Sequence, residues 1–257
     1  MLKGAPERII QATASPKILI VWQHANEQLA PRTAHQIYAE HPDLATHVDY
    51  ICGNPRAAAH PKDVGFTETD LNRSFGAPHT PPSYEETRAA EILKLAQGYD
   101  YVLDLHAAVD PEFGDCIIMA KESQHEPAVR ALVAAAPNPR VLIMPTAGQG
   151  SFIGSITNGI AIEYSVRLVE SEGVPAMTKL IDALIHGRSQ SIERNLFHIE
   201  GTIPKSQDPG ETARNFELWQ PGGYYPILLG NGPRSYRQDP TKDYCCFYAK
   251  RKEQVVL

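Results

Sequence analysis

The chain has 257 residues, of which 42% are apolar and 21% charged, with a formal charge of −6. That length suits one large α/β domain, or one domain with a small appendage, and that composition excludes a disordered or fibrous chain. A mildly acidic balance with scattered Lys and Arg argues against nucleic acid or anionic membrane as a partner, because both need concentrated positive charge.

The four cysteines are Cys52, Cys116, Cys245 and Cys246, with no C-x-x-C pair. The vicinal pair is expected on opposite faces of a strand, which disfavours a disulfide, so the chain reads as reduced. The start, Met1–Leu2 followed by Lys3, Gly4 and Pro6, does not read as a targeting segment, and no run approaches the ~20 apolar residues of a membrane span. A cytoplasmic protein is the resulting expectation.

In chain order, the first strand is predicted at Lys17–Trp22 (KILIVW), a continuous apolar run of the kind buried on both faces. His24 and Glu27 follow at its end, three positions apart, and can turn toward one point; imidazole nitrogen and carboxylate oxygen are both ordinary zinc ligands. Alone, H-x-x-E is a weak signal, since a loop histidine bonded to a nearby glutamate has the same spelling. A short helix is predicted over Thr33–Glu40 and a strand over His47–Cys52. Asn54–Pro55–Arg56 and Asp70–Leu71–Asn72–Arg73–Ser74–Phe75 then supply two cations, Arg56 and Arg73, suited to an acidic substrate. A guanidinium grips a carboxylate bidentately, and a second can polarise a carbonyl. Asp70 can accept from a ligand imidazole and orient it. Without context, the same segment reads as a surface turn.

Ser83 and Glu86 spell a capping box that opens a helix over Ser83–Gln97, stopped by Gly98. The strand Tyr101–Leu105 follows, and directly after it comes His106. In open α/β sheets ligands bind outside the carboxyl ends of the strands, where His24, Glu27 and His106 all fall. Two His and one Glu leave the fourth zinc position open for water, unlike a closed structural site. Further strands are predicted at Cys116–Ala120, Arg140–Met144 and Ile160–Tyr164, with a helix at Pro127–Ala135. Glu163 interrupts the run GIAIEYS, and an acid inside a buried strand needs a partner or a job. Beside zinc it can take a proton from water and pass it to a leaving amine. A last helix is predicted over Ala176–Asn195. From Phe197 on, Pro and Gly punctuate short runs, which reads as a β-rich module over 197–257 appended to a catalytic domain over 1–196.

Five segments, QHANE, GNPRA, DLNRSF, DLHAA and IAIEYS, occur in this order and together resemble the aspartoacylase/succinylglutamate desuccinylase family, itself related to zinc carboxypeptidases. The resemblance covers roughly residues 17–165. It implies an α/β fold, a mixed central sheet flanked by helices as in zinc carboxypeptidases, with the β-rich C-terminal module capping the site. It implies one Zn²⁺ per chain, held by His24, Glu27 and His106, with Glu163 as general acid/base. Arg56 then polarises the substrate carbonyl, Asn72 and Arg73 bind the α-carboxylate, and Asp70 supports His24.

The sequence departs from the family at several places. Ala25 stands for the usual Gly, Ala107–Ala108 follow His106, and Ser151–Ser155 lacks the Arg that binds an acyl-side carboxylate. Arg167 is one replacement cation, and the family's C-terminal tyrosine aligns with Phe247 or Tyr248. The activity implied is zinc-dependent hydrolysis of a small anionic N-acyl-amino acid. Two alternatives stay open: a zinc carboxypeptidase acting on a short peptide or cell-wall fragment, and a non-catalytic zinc-binding sensor of small acids. The sequence does not decide whether the chain forms a homo-oligomer.

Overall fold

The computed structural model describes residues 7–62, 64–108, 116–120, 131, 139–143, 150–188, 193–230, 235–240 and 242–256. Its strands are β1 (Arg8–Ile9), β2 (Ile18–Trp22), β3 (Val48–Cys52), β4 (Tyr101–Ala108), β5 (Cys116–Ala120), β6 (Pro139–Ile143), β7 (Gly159–Ser165), β8 (Glu193–Pro204), β9 (Tyr225–Ile227) and β10 (Tyr244–Val256). They form one mixed sheet in the order β1-β3-β2-β4-β7-β5-β6-β8-β10-β9. The helices are α1 (Leu29–Glu40), α2 (Pro42–Ala45), α3 (Pro55–Ala58), α4 (Tyr84–Ala96), α5 (Phe152–Ser155) and α6 (Val174–Ile185).

Strands β3, β2, β4 and β7 run parallel to one another, so their carboxyl ends share one edge. Alternation along β2 divides the core between the two faces of the sheet. Ile18, Ile20 and Trp22 pack with α1 and α6 through Leu29, Ala30, Ile37, Met177, Leu180 and Ile181. Leu19 and Val21 pack on the other face with α4 and α5 through Ala89, Ile92, Ala96 and Phe152. Burying each such Leu, Ile or Val stabilises the fold by about 1.5–3 kcal/mol. This two-sided burial is the reason the run KILIVW shows no polar alternation. Mixed sheet and flanking helices are thus as expected.

Several element limits differ from the sequence reading. Helix α1 begins at Leu29 rather than Thr33, because Pro31 falls in the first turn, where a missing N–H costs no intrahelical bond. The last helix ends at Ile185, not Asn195: Gly187 adopts φ +60°, and Glu193–Asn195 already belong to β8. Residues 196 and 197 both lie inside β8, which pairs with β6 on one side and β10 on the other, so the sheet continues across that point. The Pro127–Ala135 helix lies outside the described residues except for helical Ala131, as does Met144 of the Arg140–Met144 strand.

Cys245 and Cys246 do not face opposite ways. A register shift in β10 between Tyr244 and Cys246 brings both thiols into one buried cluster, where Cys245 Sγ donates to Cys246 Sγ at 3.9 Å and no disulfide joins them. Among the described residues no helix is long and apolar enough to cross a membrane.

Candidate metal centre

The parallel register of β2, β4 and β7 sets the site. His106 lies inside β4 rather than after it, directly across from Glu163 on β7. Just past β2 the chain makes a tight turn in which the Glu27 N–H donates to the His24 carbonyl at 2.9 Å, so both side chains turn the same way. Glu27 then reaches between the two histidines. Its Oε1 is 2.9 Å from His24 Nδ1 and its Oε2 is 2.9 Å from His106 Nδ1, while the Ala107 N–H donates to Oε2 at 3.2 Å. The ligand atoms of His24, Glu27 and His106 all lie within 4.8 Å of one another, a group able to hold a metal ion.

Each imidazole presents Nδ1 to this point and turns Nε2 to a second carboxylate. His24 Nε2 is 3.0 Å from Asp70 Oδ1. His106 Nε2 is 3.0 Å from Asp104 Oδ1, within ion-pair distance though not aligned as a hydrogen bond. Asp104 is itself buried and accepts from the Gln23 side chain. A carboxylate behind each ligand histidine fixes the ring and makes the other nitrogen a better donor. Two imidazoles and one carboxylate are a set suited to a divalent cation such as zinc, with room for a further ligand, and the cation would displace the Nδ1 protons shared with Glu27.

The electrostatics follow from burial opposed by paired charge. Burial disfavours the His24 imidazolium, but Glu27 and Asp70 outweigh it and push its pKa up to about 10. Burial likewise opposes the Glu27 carboxylate, and the two histidines overcome it and hold its pKa down to about 2. His106 is raised well above its ordinary range by Asp104 and Glu27, against burial. Asp70 lies below the carboxylate range, held there by His24 and Arg73 against burial. Glu163 behaves differently. Burial pushes its pKa up to about 7, only partly countered by His106, and its Oε2 is buried with no hydrogen-bond partner among the described residues.

The segment Asp70–Phe75 runs alongside. Asp70 caps the turn Leu71–Arg73 by accepting the Asn72 N–H at 2.9 Å, and Asn72 Oδ1 accepts the Phe152 N–H at 3.1 Å. Arg73 is held by its own neighbour's carbonyl at 2.8 Å and by two tyrosines. Its guanidinium interacts electrostatically with the Tyr244 and Tyr236 hydroxyls, and the charge interactions of Tyr236 extend to Glu163. Arg56 faces elsewhere among its contacts: it pairs with Glu68 at 3.1 Å and stacks over the Tyr84 ring at 3.9 Å. Arg167 is exposed just beyond β7.

Asp104, Tyr236 and Tyr244 were not singled out by the sequence. Asp104 had a signal, because D-x-H in a strand puts both side chains on one face. The tyrosines had none; they reach Arg73 only because the C-terminal chain folds back. Phe247 packs with them, its ring 5.6 Å from each, whereas Tyr248 packs against Tyr224.

No protein-family model and no curated sequence matches the chain. Solved structures do. Murine aminoacylase 3 superposes with a TM-score of 0.69 at 18% identity, over 95% of this chain and 98% of that one. Succinylglutamate desuccinylase from Chromobacterium violaceum gives 0.69 at 16% identity, over 96% and 86%. This chain has their fold. The ectoine utilization protein of Ruegeria pomeroyi, solved with its product bound, gives 0.58 at 15% identity, over 96% and 81%. The shared architecture therefore takes in the C-terminal strands as well as the metal-centre half.

Proposed function

We propose that the chain is a zinc-dependent amidohydrolase that splits a small anionic N-acyl-amino acid into a carboxylate and a free amino acid. The observation that carries this reading is the meeting of His24, Glu27 and His106 with the half-buried Glu163 on the strand beside His106, within a fold shared with an aminoacylase and a desuccinylase. A zinc ion held by the three ligands supplies Lewis acidity and makes water a stronger acid near neutral pH.

The remaining work falls to the chain's own groups. Glu163 Oε2 accepts the proton of the attacking water and returns it to the nitrogen of the departing amine. A carboxyl whose pKa is about 7 is suited to both transfers at neutral pH. Arg73, with Asn72 beside it, binds the substrate's α-carboxylate and fixes the amide over Glu163. Arg56 swings from Glu68 to the scissile carbonyl and takes up the charge that develops on its oxygen. Asp70 and Asp104 keep the two imidazoles turned. Ser151–Ser155 offers no cation to an acyl-side carboxylate, which leaves Arg167 as the candidate for that contact.

The test combines zinc content with turnover of a panel of N-acyl-amino acids. We expect about one zinc per chain and measurable hydrolysis. Glu163→Gln should keep the zinc and lose at least about 100-fold in kcat, the usual weight of a general acid/base. Full turnover by that variant, or no hydrolysis by zinc-loaded wild type, rejects the reading.

A further inference from the structure

We propose that Glu85 is a positioning residue: its buried carboxylate shapes the loop that presents Asp70, Asn72 and Arg73, and ties that loop to the segment bearing Arg56. Glu85 sits in the first turn of α4 and is fully buried. An ionised carboxylate in such a place persists only when its oxygens are well supplied with donors. They are. Oε1 accepts from the Thr67 N–H at 2.9 Å, the Thr67 hydroxyl at 2.8 Å, the Glu68 N–H at 3.2 Å and the Asn54 side-chain amide at 3.0 Å. Oε2 accepts the Thr69 N–H at 3.3 Å. Three successive backbone N–H groups closing on one anion form a nest, a geometry the chain adopts around the charge.

The consequences run in two directions. Downstream, the residue after Thr69 is Asp70, which contacts His24 and caps the Asn72–Arg73 turn. Backward, Asn54 uses its amide N–H on Glu85 and its Oδ1 on the Ala57 N–H, so it caps α3, the helix that carries Arg56. Glu68 completes the link. Its backbone is held by Glu85, its Oε1 pairs with Arg56, and its Oε2 accepts the Tyr84 N–H at 3.1 Å. One side chain thus sets the relative placement of both cations assigned to the substrate. The metal ligands and Glu163 lie on β4, β7 and the turn after β2, so only His24 is linked to these bonds, through Asp70.

The experiment uses the zinc-loaded 257-residue chain and its Glu85→Gln variant, in which the charge is lost and the amide N–H₂ must oppose at least one backbone N–H. Backbone amide hydrogen exchange is measured first. We expect exchange at 67–73 to accelerate at least about tenfold, as loss of hydrogen bonds to a charged acceptor implies, with β2, β4 and β7 unchanged. Steady-state kinetics follow and rest on the proposed function. KM should rise about 10- to 100-fold through Asn72 and Arg73, with a smaller fall in kcat through Arg56, while zinc content stays at the wild-type level, which separates lost placement of the cations from lost folded protein. Unchanged exchange at 67–69, or a fall in kcat at constant KM, overturns the proposal. If wild type hydrolyses none of the panel, the functional reading fails and exchange alone decides for Glu85. If Glu85→Gln does not fold, Asn54→Ala replaces it. That variant should speed exchange at 54–58, and unchanged rates there overturn the proposal equally.

Discussion

At the scale of single residues, two imidazoles are surrounded by three carboxylates, and each carboxylate has a separate task. Glu27 bridges the Nδ1 atoms, Asp70 backs His24, and Asp104 backs His106. The arrangement predicts that Asp104→Asn weakens zinc binding about 10- to 100-fold, the usual cost of losing a carboxylate behind a ligand histidine. Competition with a chromophoric chelator measures this directly, and an unchanged affinity would show that His106 orients without Asp104. Arg56 provides a second residue-scale prediction. Arg56→Ala should lower kcat about 100- to 1,000-fold if its guanidinium meets the developing oxyanion. It should leave zinc content untouched. A variant that loses only substrate affinity would place Arg56 in binding alone.

At the scale of elements, short segments are held by neighbours distant in sequence. Gly150 adopts φ +95°, and a Cβ there would lie 2.7 Å from the Arg73 carbonyl oxygen. Its own carbonyl accepts the Phe75 N–H at 2.8 Å. Gly150→Ala is therefore strained twice, and should destabilise the fold by more than about 1 kcal/mol in urea melts while raising KM through Arg73. A variant as stable as wild type would mean that this turn relaxes freely.

Helix α4 allows a pH prediction. The Ser83 and His79 N–H groups hold Glu86 down to about 2 from its ordinary 4.5, against a smaller opposing effect of burial. A depressed carboxylate stabilises the fold above its unfolded value and loses that contribution as pH falls through the folded one. The stability gap between wild type and Glu86→Gln should hold constant above about pH 5 and close between 4.5 and about 2. A gap that widens on acidification contradicts the cap.

The capping box of α4 was readable from Ser83 and Glu86 alone, because it is a local bond between neighbours. The end of α6 was not, because a lone Gly such as Gly187 is tolerated inside a helical pattern and the residues beyond it become β8 through pairing with the distant β6 and β10. The clasp of Gly150 on Arg73 joins positions far apart, so no local pattern announces it.

At the scale of the whole molecule, the parallel core of the sheet was legible because continuous apolar runs such as KILIVW mark strands buried on both faces. The continuation through β8, β10 and β9 was not, since Pro and Gly punctuation there suggested a separate module. The same architecture predicts how the protein answers to metal removal. The core on both faces of the sheet is built from aliphatic and aromatic side chains and does not run through the metal ligands. Glu27 has both imidazoles as partners, at 2.9 Å on each side, so the chain supplies its own compensation for that charge. Chelation should therefore abolish hydrolysis while leaving the far-ultraviolet circular dichroism and a single cooperative unfolding transition. The unfolding free energy should fall only by what binding linkage removes, about 2.7 kcal/mol at free zinc 100 times Kd. Glu27→Ala should behave differently, losing metal and stability together, because it strands His24 and His106 against each other at a ring separation of 5.0 Å. If chelated wild type unfolds, the centre is part of the fold's framework and not a site mounted on it.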